Sequence, residues 1–553
     1  MSPLPPNPNL EHLKKQAKDL LRRYREGDAA ALARFAEYLP AAAGKSPSAI
    51  TAMGFRLADA QSCIARSYGF ASWAEVALHV EADIFARGDR ATAIRRWLDL
   101  AYGGDATGNL DAARPRLAAR LLQETPDVFT ADLAVACATG DVGPIARAIA
   151  ADPQWLDRPL GPLALPPLVA VTHSRLGALP EFQARLRAAA QALLDAGADP
   201  NQRILNRFPP YSLAKPDENG PLSALYGAAG VNHDPELTAM LLEAGADPND
   251  GESLYHSLES PDVTRILLAH GARVAGTNAL RRSLDMLEPE ALELLLAHGG
   301  DPNEPAPTGP TAIWGPPLLR AIAVRRSPRH IAALLEAGAD PRARTPGGVS
   351  AYALAMQTGL TEVADLLRQA GAAEPLTPAD AFIAACARAD LDTARAIQAR
   401  HPDLPASLPP DRLRLLPDEA AWGNRHAVET MVACAWPLDA RGGDWDATAL
   451  NHAVMRGDAS LADFLLAHGA DWREGHGYGD NVLGTLSWAS INEPNAHESV
   501  DGPDPDWSAC ARALKAHGLP RIEPDPTNPL RVLIDGRPMR FSETVTEILL
   551  AEN

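Results

Sequence analysis

The sequence predicts an all-α protein: an array of short helix pairs, with a helical extension ahead of it and a small β-hairpin and helix behind it. Three observations carry that prediction. One phrase, a Leu-Leu pair followed by Gly-Ala-Asp-Pro, recurs along the chain. Apolar residues make up an ordinary 46 % but aromatics only 5 %, and an apolar content rich in Ala and Leu favours closely packed helices over sheets. Finally, 49 prolines forbid long helices and suit many short ones separated by turns.

The recurring phrase reads LLDAGADPN at 193–201, LLEAGADPN at 241–249, LLAHGARV at 267–274, LLAHGGDPN at 295–303 and LLEAGADPR at 334–342. It returns as LLRQAGAAE at 366–374, LLAHGADW at 465–472 and LKAHGLP at 514–520. From Gly338 to Gly371 the step is 33 residues, and from Gly371 to Gly469 it is 98. Two degenerate copies fill that longer gap, AIQARHPDL at 396–404 and MVACAWPLD at 431–439. Shorter steps mark truncated copies and longer ones insertions.

The most regular copy is TALNHAVMRGDASLADFLLAHGADW, 448–472. With its period of about 33 residues it resembles the ankyrin repeat. Thr448, Leu450 and Ala453 match the first part of that pattern, Gly457 the turn between helices, and Leu465, Leu466, Gly469, Ala470 and Asp471 its end. Asn451 stands where the family prefers His, and Ala449 replaces a Pro. The resemblance implies a solenoid that binds proteins through its turn tips and concave face. About eleven copies fit between 126 and 523.

Each recurring residue has a structural reason. Thr448 is placed to cap the first helix. Ala453 lets neighbouring copies approach. Leu465 and Leu466 face the core, and Gly469 ends the second helix in a left-handed conformation. Asp199, Asp247, Asp301, Asp340 and Asp471 start the turn. Pro200, Pro248, Pro302 and Pro341 then block helix continuation. All are expected to be scaffold.

Ahead of the array, 1–8 reads as a flexible tail and 9–125 as a helical region. Leu10, Leu13, Ala17, Leu20 and Leu21 form an apolar stripe opposite Lys14, Lys15, Lys18, Arg22, Arg23 and Arg25. Two strings here, LKKQAKDLL and LADAQ followed by YGFASW, resemble a segment found before ankyrin repeats in many bacterial proteins. Behind the array, 524–553 reads as a cap: a hairpin turning at Asp535-Gly536, then a helix started by Ser542.

The net charge of −19 argues against nucleic acid and anionic membrane surfaces, and favours a protein partner with a basic surface. A basic helix at 10–34 leaves RNA as a minor alternative, which would show steep salt dependence. Cys63, Cys137, Cys386, Cys434 and Cys510 are scattered without a C-x-x-C pair, so neither disulfide nor zinc is expected. No secretory leader or membrane span is evident, which makes the cytoplasm the expected compartment and a monomer the expected state.

No nucleophile elbow, zinc-protease motif or phosphate loop occurs, and neither catalysis nor a cofactor is expected. The alternative is a hydrolase or a small-molecule or metal site at the C-terminal copies, built from Asp471, His476, Tyr478 and Asp480 with His497, Glu498, Asp501, Asp504 and Asp506. For protein binding, the candidates are aromatic and imidazole groups near the turn tips: Phe208, Tyr211, Trp314, Trp445, Trp472, His476 and Tyr478. Such rings dominate interface energy when a partner buries them. Trp73, Trp97, Trp155, Trp422 and Trp488 are expected in helix cores.

Overall fold

Most of the described helices are started by their own residues. An Asp, Ser or Thr side chain accepts a first-turn amide at Asp132, Asp234, Ser350, Thr377 and Asp458, the interaction that satisfies an otherwise orphan donor. Proline opens the helices at Pro167, Pro180, Pro235, Pro261, Pro317, Pro328 and Pro378. Its missing N–H costs nothing there, so the high proline content begins helices as well as separating them.

The computed structural model describes residues 4, 8–73, 75–76, 79–80, 89–109, 113–305, 315–443, 445–492, 505–520, 522–526 and 531–550. The described residues are mostly helical, with a few short strands. None of their helices is long and apolar enough to cross a membrane. The chain divides into two compact units, Met1–Ala279 and Leu280–Asn553.

The first unit opens on helices Leu10–Arg25, Ala29–Tyr38, Pro47–Thr51 and Leu57–Ser67, which share a core of their own. The expected stripe is real: Leu13, Ala17, Leu20 and Leu21 are buried. Tyr24, Phe35 and Phe55 pack ring against ring at 4.8–5.3 Å. On the basic side, Arg22 pairs with Asp19 and Glu26, and Arg23 with Asp28. Further on, Trp97 is fully buried and donates its indole N–H to the Ala118 carbonyl at 2.9 Å.

Helix pairs then stack in register. First helices meet first helices: Leu133–Thr139 packs on Pro167–Thr172, which packs on Ala224–Tyr226, which packs on Ser253–His256. Second helices do the same, from Val142–Ala151 through Pro180–Asp195 and Pro235–Glu243 to Pro261–Ala269. The insertion after Asn201 forms a hairpin, Arg203–Asn206 antiparallel to Asp217–Ser223, where the sequence showed no strand.

The second unit repeats the scheme. Pro317–Ala323, Ala351–Gln357 and Pro378–Ala387 stack, as do Leu415–Trp422, Ala449–Met455 and Val482–Asn492. Thr448 caps its helix as expected, accepting from the Asn451 amide. Asn451 links neighbouring first helices: its amide donates to Thr448 Oγ1 at 3.0 Å and its oxygen accepts from Thr485 Oγ1 at 2.7 Å. At the C-terminal end, Val532–Ile534 and Arg537–Met539 pair around Asp535-Gly536, and Ile522–Pro524 adds a third strand. Helix Glu543–Leu550 packs on Trp507–Ala516.

Candidate protein-binding site

The turn tips are built by short side-chain bonds. Each Asp of the Gly-Ala-Asp phrase folds back on the chain: Asp199, Asp247, Asp301, Asp340 and Asp471 accept the amide two residues on at 2.8–2.9 Å. They act as scaffold, as their spacing suggested. The Asn that follows does something the sequence reading passed over. Asn201 donates to the Gly245 carbonyl of the next copy at 3.2 Å and accepts from the Asp247 amide at 2.8 Å. Asn249 repeats this on Gly271 and Arg273, and Asn303 on Gly338 and Asp340. Each amide thus clasps the following tip with one donor and one acceptor. The signal was visible: Asn recurs at one register in three copies.

The aromatic candidates separate into groups. Trp445, His476 and Tyr478 come together. The Trp445 ring lies 5.0 Å from His476 and 4.9 Å from buried His452, and Tyr478 lies 6.2 Å from His476. Backbone bonds hold the patch: Gly477 N–H donates to the Trp445 carbonyl at 2.9 Å, and His476 N–H to the Asp480 carbonyl at 2.8 Å. Tyr478 is 83 % exposed, while Trp445 and His476 are half-buried. Burial pushes the His476 pKa down, against the pull of Asp480, so the patch presents a largely neutral imidazole near pH 7.

Trp472 does not belong to it. It is 8 % exposed and part of the hydrophobic core. It takes the place that proline holds at 200, 248, 302 and 341, and turns its ring inward with the Arg473 guanidinium 4.3 Å above. Trp488 errs the other way. Expected in a core, it is 51 % exposed. Val482, Leu486 and Ala489 form the buried stripe of its helix and leave residue 488 on the opposite side. Phe208 and Tyr211 are exposed on the insertion, which is anchored to the chain at 105–106 through Arg207, donating to the Asp105 and Ala106 carbonyls. Trp314 lies outside the described residues. Trp97 and Trp155 are core; Trp73 and Trp422 are half-buried.

The alternative polar cluster is largely occupied by structural bonds. Asp480 forms a two-pronged pair with Arg537, both contacts at 2.8 Å. Burial pushes its carboxyl up, but the Arg537 bonds outweigh that and hold it below the usual range. Asp506 caps helix Trp507–Ala516. His497, Glu498, Asp501 and Asp504 lie outside the described residues. Among the described residues no group of three His, Cys, Asp or Glu is arranged to hold a metal.

The thiols Cys63, Cys137, Cys386, Cys434 and Cys510 are buried and free. Burial raises the Cys63 thiol to about 11 and Cys510 to about 12, well away from the range of a reactive thiolate.

No family model and no curated protein matches the chain. Among solved structures, the ankyrin repeat domain of human ASB11 is similar, with 19 % sequence identity and a TM-score of 0.32, over 44 % of this chain and 99 % of that domain.

Proposed function

We propose that this protein is a binding scaffold without catalysis: an ankyrin-type solenoid whose contact face is the patch formed by Trp445, His476 and Tyr478. One observation carries the reading. A tyrosine ring 83 % exposed is held beside two further rings by backbone bonds, in a preorganised anchor of the kind that interface energies concentrate on. The partner is a protein with a basic surface, complementary to the net charge of −19. In this reading the array spans 126–523, the helical region 9–125 precedes it, 524–553 closes its last copy, and the chain acts as a cytoplasmic monomer. Phe208 and Tyr211 form a second, separate contact on the insertion.

The test is affinity capture followed by titration of the captured protein. Tyr478→Ala should leave circular dichroism and melting unchanged and weaken binding tenfold or more, the loss of one anchor residue. Binding of equal strength by the wild type and by the double variant Tyr478→Ala/Trp445→Ala would sink the patch as the contact face.

A further inference from the structure

In the second unit, two departures of the chain from its own repeat register meet. The left-handed turn between paired helices falls at Gly140, His233, Arg325, Gly359, Ala389, Gly423 and Gly457. Four residues earlier stands Ala136, Ala229, Ala321, Ala355, Ala385 or Ala453, small enough for neighbouring helices to close on it, but before Gly423 stands Glu419. Glu419 is fully buried. One of its oxygens accepts from Arg325, which sits at a turn usually given to glycine; the other accepts from Asn424 at 2.8 Å.

Beside this pair lies a cleft of about 180 Å³. Cofactor and drug pockets run to about 300–1,000 Å³, so this one suits a single long side chain. Its walls are apolar, with Val349, Leu354, Ile383 and Leu415 backing the half-buried Trp422. Three arginines line it and each already has a carboxyl partner: Arg325 has Glu419, Arg412 has Asp380 at 2.5 Å, and Arg414 has Asp418 at 3.0 Å. A further carboxylate, Asp411, is exposed on the lining and forms no ion pair with any described residue. Gly347 passes so close to it that any larger residue there would collide with the carboxylate.

We propose that this cleft receives an arginine side chain of the partner protein, its methylene stem against the apolar wall and its guanidinium at Asp411 beside the Trp422 indole. The proposal rests on the protein-binding reading above and names the residue bound. The exposed Asp411 carboxylate selects a cation. The apolar part of the walls and the indole select a planar, weakly hydrated guanidinium over an ammonium. The Arg325 guanidinium carbon already stands 5.8 Å from the Trp422 ring centroid, so that contact belongs to the cleft's own chemistry.

The test uses the full-length protein, its tryptophan indole N–H signals observed by nuclear magnetic resonance and the Trp422 signal assigned with Trp422→Phe. N-acetyl-arginine methylamide should shift the Trp422 signal saturably, and the leucine and glutamate analogues should not. Asp411→Asn, at an exposed site that leaves the fold intact, should weaken the response about fivefold, the scale of a half-exposed ion pair. Tyr478→Ala should keep it, so failure at the tip patch and failure at the cleft are read separately. A leucine analogue that binds as well as the arginine one, an Asp411→Asn variant that binds like the wild type, or an unmoved Trp422 signal at saturating probe would each overturn the proposal. So would binding of free arginine without binding of the blocked form, since that would mean a small molecule and not a side chain.

Discussion

Two successive copies of the repeat, 414–438 and 448–472, run in register with an offset of 34 residues. Gly423 answers to Gly457 and both turn left-handed; Asn424 answers to Asp458 and both cap the second helix. Met431 answers to Leu465 and both are fully buried. The backbone plan is shared, but the chemistry placed on it differs. Where the regular copy has Ala453, the degenerate one has Glu419, and where the regular copy ends on Gly469, the other ends on Ala435 at φ 61°. A repeat tolerates such departures because its helices are positioned by caps, turns and a few large core residues, which leaves the remaining positions free to carry a site.

The strongest test of the shared plan is the core. Leu465→Ala and Met431→Ala should each cost about 2–5 kcal/mol, measured by urea denaturation. A much smaller cost at Met431 would mean that the degenerate copy packs loosely and is not an equal member of the array.

Next comes the buried carboxylate. Burial pushes Glu419 up to about 7, outweighing the pull of Arg325 and Asn424. A folded-state pKa above the unfolded value of about 4.3 means stability that is fully present below pH ~4.3 and is lost as pH rises through about 7. The wild type should therefore lose of the order of 3 kcal/mol relative to Glu419→Gln across that window. A pH–stability difference between the two that stays flat from pH 4 to 8 would show that Glu419 titrates normally and that the contrast with Ala453 carries no electrostatic cost.

Smaller effects sharpen the picture at the turns. Asn303→Ala removes both bonds to the next tip and should cost about 1 kcal/mol; hydrogen exchange at Asp340, whose amide it clasps, should rise with it. Finally, Gly469→Ala should cost about 1 kcal/mol while Ala435→Gly should gain up to ~1 kcal/mol, since both positions hold a left-handed backbone. Equal signs for the two would mean that neighbouring packing, not the backbone, decides these termini.

Much of this was legible beforehand. The Leu-Leu-x-x-Gly phrase located the second helices, Thr448 marked the start of a first helix, and Asp535-Gly536 marked the hairpin, because each depends on local geometry that a few adjacent residues settle. The candidate site was legible only in part. The sequence offered Trp445, His476 and Tyr478 as tip residues but could not say that they gather, and it offered Trp472 on the same footing although its ring turns inward. Trp488 was misjudged although the Val482, Leu486, Ala489 stripe already pointed away from it.

By itself, then, the sequence determined the helix starts and stops, the turn chemistry and the repeat register, all of which are set by interactions within a few residues. Only the tertiary structure decided which rings share a surface, which asparagines clasp the next tip, and that Glu419 reaches Arg325, 94 residues away along the chain. Those outcomes depend on how distant copies pack, and burial, pairing and pKa follow from that packing rather than from any local pattern.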